Sequence, residues 1–229
     1  RFFGSANGRL NFNKLDCAVV TRDSVNQVII VDFGDGCEDT KGTIRSGMII
    51  VSYTGVRNEP GASREVTFEN FFIDSVQVEG TRTVTNTSDT ANANVIVHEA
   101  TLIGGKLTFA DGTTLTREAA HTRTKYRGET SEENYVTLIG NASAERQDDN
   151  PYTMDIVTEI LITGACNIKV PISGIKEFVA GENSLSIDFG DGTCDNLADV
   201  TLNGETRTIE LKERSFGNHK GNRGKRKRG

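Results

Sequence analysis

The stretch Val28-Ile29-Ile30-Val31-Asp32-Phe33-Gly34-Asp35-Gly36-Cys37 returns later in the chain as Ser184-Leu185-Ser186-Ile187-Asp188-Phe189-Gly190-Asp191-Gly192-Thr193-Cys194. Each copy runs from a strand into Asp-Phe-Gly-Asp-Gly and then a cysteine. The glycines supply a turn that needs positive φ, which a residue without Cβ adopts at no steric cost. The simplest reading is a strand end and a turn, with Phe33 and Phe189 in the core. Each copy also has an upstream cysteine beside an alternating strand, Cys17 and Cys166. Four cysteines allow three connectivities. A duplicated unit should carry its own bridge, so the repeat favours Cys17–Cys37 and Cys166–Cys194. Closing loops of about 20–30 residues gives roughly 3 kcal/mol each in the chain-entropy model. Neither pair has the close spacing of a zinc site. Two disulfides imply an oxidising compartment, whereas four buried thiols would imply a reducing one.

Outward from these units the chain reads as strands. Cys17 to Arg22 and Gln27 to Phe33 form a first hairpin across Asp23-Ser24. Thr43 to Thr54 is a long strand centred on Met48-Ile49-Ile50-Val51. Asn58-Glu59-Pro60-Gly61 is a turn signal, and Arg64 to Phe72 follows. Val76, Val78, Gly80 and Val84 then alternate with polar residues, so one face is buried and one wet; Arg82 interrupts that inner row. Val95 to Ile103 leads to Gly104-Gly105, read as a two-residue hairpin turn. Asp111-Gly112 signals another turn. Thr113 to Tyr126 is polar on both faces. Val136, Leu138, Gly140 and Ala142 form the inner row of the next strand, and Tyr152 to Thr163 runs back. Gly174 to Phe178 reads as a loop or helical turn. The last hairpin is Ala198 to Leu202 and Thr206 to Leu211 across Asn203-Gly204.

These segments predict an all-β fold. Short connections give an elongated antiparallel meander, a twisted or partly closed sheet with the two Asp-Phe-Gly-Asp-Gly units side by side. Residues 1–212 form a single elongated β domain, with similar units at 15–37 and 164–194 flanking a central meander. Residues 1–13 read as irregular, and 213–229 as a disordered basic tail.

The 229 residues carry a formal charge of −6. From Arg214 onward there are seven Lys or Arg and no acids, so the body keeps 19 basic against 32 acidic residues, a net −13. Phosphate contacts need a cationic surface, so nucleic acid is not an expected partner. No apolar run reaches the ~18 residues of a transmembrane helix. The start at Arg1-Phe2-Phe3 reads as the product of leader removal. Lys225-Arg226-Lys227-Arg228 resembles a nuclear signal or nucleic-acid arm, but a solvated tail is the simpler reading.

Chemistry-bearing motifs are sparse. Asp32, Asp35, Asp188 and Asp191, with Asp195, offer a weak calcium set, since calcium wants six to eight oxygens. The pattern lacks the spacing of an EF-hand loop, and the Asp-Phe-Gly of kinases comes here without their other loops. His98, His121 and His219 have no sequence neighbour that would make a zinc site or triad. No metal, other cofactor or catalytic residue is therefore expected. Asn86-Thr87-Ser88 and Asn141-Ala142-Ser143 fit the N-glycosylation acceptor pattern.

A cysteine-led strand ending Phe-Gly-Asp-Gly-Cys, then Gly42 to Val51, Val66 to Phe72, Val78 to Asn86 and the closing Phe189 to Asn196 with Asn203-Gly204, resembles secreted or lipid-anchored all-β proteins of Bacteroidota with paired Phe-Gly-Asp-Gly/Cys units. The resemblance spans most of residues 15–211. It implies export by a leader and an all-β fold, and carries no assigned activity. It also implies O-glycosylation at Asp-Ser/Thr before an apolar residue, which makes Ser24, Ser75 and Thr90 candidates.

The expectation from residues and resemblance together is a non-enzymatic, extracytoplasmic structural, adhesive or binding module of a bacterial cell envelope. The alternative is a carbohydrate-binding or carbohydrate-processing protein. That would want rings lining a groove, for which Phe71, Phe72, Tyr126, Tyr135 and Tyr152 are candidates. A third class binds a protein partner by strand addition at a sheet edge.

Overall fold

The computed structural model describes residues 17–147, 151–166 and 170–212. The irregular opening at 1–13, the basic tail at 213–229 and His219 lie outside the described residues. Fourteen strands and no helix form a single antiparallel sheet among the described residues. They are β1 (Val19–Asp23), β2 (Val28–Asp32), β3 (Cys37–Glu38), β4 (Ile44–Thr54), β5 (Ser63–Ile73), β6 (Val76–Asn86), β7 (Val95–Thr108), β8 (Thr114–Tyr126), β9 (Tyr135–Arg146), β10 (Tyr152–Thr163), β11 (Ser173–Ala180), β12 (Asn183–Asp191), β13 (Leu197–Leu202) and β14 (Glu205–Glu210). Apart from β3, which pairs only with β4, each strand pairs with its chain neighbours. The path starts at β1, ends at β14 and does not close, so the meander is open rather than partly closed.

Turn chemistry explains most of the punctuation. Asn203 and Gly204 both take positive φ, 48° and 89°, as a two-residue primed turn requires. In the two Asp-Phe-Gly-Asp-Gly copies, Asp32 and Asp188 each accept a hydrogen bond from the N–H two residues on, Gly34 at 2.8 Å and Gly190 at 2.9 Å. Each copy thus ends in the same side-chain-capped turn. Both disulfides form as the repeat predicts, Cys17–Cys37 and Cys166–Cys194, with Cα separations of 5.4 and 5.5 Å. The first ties the start of the edge strand to β3; the second ties the loop after β10 to the loop after β12.

Four expectations change. The two copies do not lie side by side, because β2 and β12 are separated on the sheet path by eight strands. Phe33 is core, but Phe189 is only half-buried, near the end of the path. Gly104-Gly105 is not a hairpin turn: β7 runs through it, and the registers to β6 and β8 both shift there. A methyl on Gly80 would overlap the backbone of Gly104-Gly105, so glycine on both strands absorbs the bulge. Residues 173–178 are strand, not a helical turn. Lys176 and Phe178 share one face and Glu177 the other, and pairing on both sides with β10 and β12 overrides the local preference of Lys and Glu.

The main buried cluster lies in the first half of the sheet, and Ile160, Val170, Ile172 and Ala198 are buried in the second. Val31, Phe33, Cys37, Ile49, Val51, Phe71, Val78 and Leu107 form one buried cluster. Phe71 is its keystone. Its ring lies 5.5 Å from Phe33, which follows β2, and 5.5 Å from Phe68 on its own strand. Truncation here leaves a cavity as well as losing transfer energy. Phe71→Ala should therefore lower unfolding free energy by about 3–5 kcal/mol in urea titration. Phe189→Ala should cost roughly half as much or less, because its ring is already partly solvated.

Candidate functional site

In antiparallel strands, residues directly opposite share a face and successive residues alternate. From β5 to β9 that rule separates charge. One register row reads Arg64, Val84, Ala100, His121 and Gly140. The next row on the same face reads Val66, Arg82, Leu102, Ala119 and Ala142. His98 lies opposite Arg123, and Arg117 opposite Gly105 and Ala144, again on this face. The other face carries Glu65, Glu79, Glu99, Glu118 and Glu145, with threonines between them. Its one cation across these strands, Lys106, is paired with Glu79 at 3.6 Å. The strand read as polar on both faces, β8, is thus basic at 117, 121, 123 and 125 and carries Glu118 on the reverse.

The arginines of this face lack acidic partners; Arg64 instead lies over the Tyr53 ring, 5.8 Å from its centroid. Arg64, Arg82, Arg117 and Arg123 form no ion pair with any described residue; the two ion pairs among the described residues are Arg45–Asp39 and Lys106–Glu79. Arg82 buries one terminal nitrogen and Arg117 its Nε without a hydrogen-bond partner. Buried donors left unsatisfied cost about 1–3 kcal/mol each, more for a charged group. Their long stems serve a packing role. Ala100, Ala142 and Ala144 are only 3–5% exposed although the described residues contain no second layer. Longer side chains must cover them: His121 is the register partner of Ala100 and Arg117 that of Ala144, while Ala142 lies opposite Ala119 between them. The result is a floor of small residues flanked by guanidinium groups. Gly140 brings β9 close beneath His121, where a methyl would overlap the Ala120 carbonyl.

Burial draws the guanidinium pKa of Arg82, Arg123 and Arg64 below the ordinary arginine value, and Arg57 adds to the effect on Arg64. His121 is held below the ordinary histidine range first by burial, then by Arg82 and Arg117. His98 is lowered by burial, then by Arg123 and Arg57. Both imidazoles are thus held toward the neutral form first by burial and then by arginines that lack acidic partners.

Apart from Arg82, His98 and His121, the residues singled out in the sequence lie elsewhere. Asp32 and Asp188 cap their own turns, as does Asp191, which accepts from the Thr193 N–H at 3.2 Å. Asp35 is exposed in the first turn. No group of three or more His, Cys, Asp or Glu stands together among the described residues. Ser24, Ser75 and Thr90 are all exposed in turns, each after an aspartate that caps a backbone N–H. Asn86 is 1% exposed, and its amide oxygen accepts from Ser88, so this acceptor site is a buried structural element. The five rings share no groove. Phe71 is core, Tyr126 and Tyr135 stack on each other at 4.1 Å, and Tyr152 lies at the opposite end of β9.

Replacing Arg82 by a chain of similar length without the unsatisfied charge should stabilise the fold. Arg82→Met should raise unfolding free energy by about 1 kcal/mol in urea titration. The histidines add a pH dependence. Unfolded imidazoles bind protons near pH 6.5, and the folded ones only at lower pH. Their contribution is therefore full above about pH 6.5 and is lost as pH falls toward the lowered folded values. The urea midpoint should drop between pH 7.5 and 5.5, and less so in His121→Gln.

No family model, no curated protein and no solved structure matches this chain, so the chemistry of its own surface has to carry the functional reading.

Proposed function

We propose that the chain is a non-enzymatic binding module of a bacterial cell envelope, working outside the cytoplasm with the basic face of its sheet as the binding surface. The observation that carries this reading is the separation of charge across β5–β9. A protein with a net charge of −6 places unpaired, half-buried cations together on one face. Solvent exposure alone would mix the signs. A ligand that supplies the missing negative charge explains the arrangement.

The two disulfides support an extracytoplasmic setting, because such bonds persist where thiols are not kept reduced. Each bridge closes one end of the sheet path, the first beside the β2–β7 cluster and the second beside buried Val170 and Ile172. The carbohydrate-binding alternative keeps its place on charge rather than on rings, since the five candidate aromatics line no common groove.

Labelled, oxidised protein mixed with isolated Bacteroidota envelopes tests the proposal. Saturable retention is expected, weakening as ionic strength rises because exposed charges are screened beyond about 8–10 Å. Retention no greater than that of reduced, unfolded protein would contradict it.

A further inference from the structure

We infer that Arg82, Arg117 and His121 form the centre of a site for the oxyanion groups of a linear acidic polysaccharide. The inference rests on the binding-module reading and names its ligand class. Arg82 on β6 and His121 on β8 flank Leu102 and Ala100 of β7, while Arg117 stands two register positions along β8 from Ala119. Both arginines have a buried nitrogen with no acceptor, and a planar guanidinium matches the oxygens of a carboxylate or sulfate.

The shape of the site selects the ligand. Arg117, His121 and Arg123 run along one strand, with Arg82 and His98 no more than two strands away. At ~3.3 Å per residue and ~4.8 Å per strand this is a strip on the order of 20 Å long and 10 Å wide, suited to an extended chain. Its floor of Ala100, Leu102, Ala119, Gly140 and Ala142 carries no Phe, Tyr or Trp on which a nucleobase could stack. The exposed large apolar residues of β5–β9, Ile103, Tyr135 and Ile139, all sit on the opposite face, so nothing on the strip would enter a bilayer.

Binding should respond to pH through His121. The charged and titratable groups that face it are Arg82 on β6, His98 on β7, and Arg117 and Arg123 on β8 itself. From β9 it meets only Leu138, Gly140 and Ala142. No carboxylate on these strands shares its face. An anion seated between Arg82 and Arg117 offsets part of the positive charge beside His121 and so favours the imidazolium. Affinity therefore rises as pH falls and the imidazole takes up a proton on binding.

The test is calorimetry and affinity electrophoresis of the whole oxidised protein against polygalacturonate, dextran sulfate and uncharged dextran. Vesicles of phosphatidylglycerol and phosphatidylcholine serve as the membrane arm. Wild type should bind one or both acidic polymers and not dextran. Arg82→Gln/Arg117→Gln should weaken binding roughly a hundredfold, about tenfold per lost charge-assisted contact. Lys106→Gln, on the other face, should not weaken it. Ala119→Glu places a carboxylate in the floor; it should fold and lose binding, which covers the case of a double variant that fails to fold. The pH response should persist with dextran sulfate, whose charge is fixed, and flatten in His121→Gln. Binding to vesicles in place of polymer, equal binding by the double variant, or no preference over dextran would each overturn the inference. Retention on isolated envelopes that survives the Arg82→Gln/Arg117→Gln change would also overturn it, while leaving the binding-module reading in place.

Discussion

A single layer of sheet has two faces and nothing with which to cover them. Alternation along each strand sends half of the side chains to either side, and no second sheet or helix among the described residues receives them. Everything else in this protein is a response to that constraint. In the first half, rings supply the cover. Phe33, Phe68 and Phe71 interlock over β2, β4 and β5, and Val31 is fully buried beneath them. Around Arg82, Arg117 and His121, on β6–β9, the cover changes character. Small residues form the floor, and the stems of arginine and histidine close over it.

That second solution has an energetic consequence. An aliphatic stem shields alanine as well as a leucine does, but it brings a charge into partial burial. Nature's usual remedy is a carboxylate on the neighbouring strand, as Lys106 and Glu79 show on the opposite face. On the basic face that remedy is missing. The acids of the same strands alternate away from it, so the cost of the cations is not offset within β5–β9. A surface that tolerates such a cost is more readily understood as a binding surface than as a packing device, because stability and function often trade against each other.

The sequence made the strands and disulfides legible because those signals are local. Asn203-Gly204, the Asp-Gly turns, the alternation in β6 and the duplicated cysteine units each need only a few neighbouring residues. What it hid depends on partners. Gly104-Gly105 has the composition of a hairpin turn, and only Gly80 on the adjacent strand shows it to be a bulge. Lys176 and Glu177 favour a helix by themselves and become strand by pairing on both sides. Arg82 looked like a flaw in an apolar row. It gains meaning only when the registers of β6, β7 and β8 place it with His121 and Arg117. The alternation of base and acid in Arg117-Glu118 was in plain sight, but the matching pattern on other strands required their register, which the bulges set.

The most direct test follows the arginine Nε–H signals of the folded protein by NMR as polygalacturonate is added. If the unpaired donors of the basic face are the binding groups, the Arg82 and Arg117 signals move first and together, with the ring protons of His121 shifting toward the imidazolium position. Arg22 and Arg207, near the two ends of the sheet path, stay still. Shifts spread evenly over all arginines, or confined to those near the ends, would mean that the separation of charge serves packing alone.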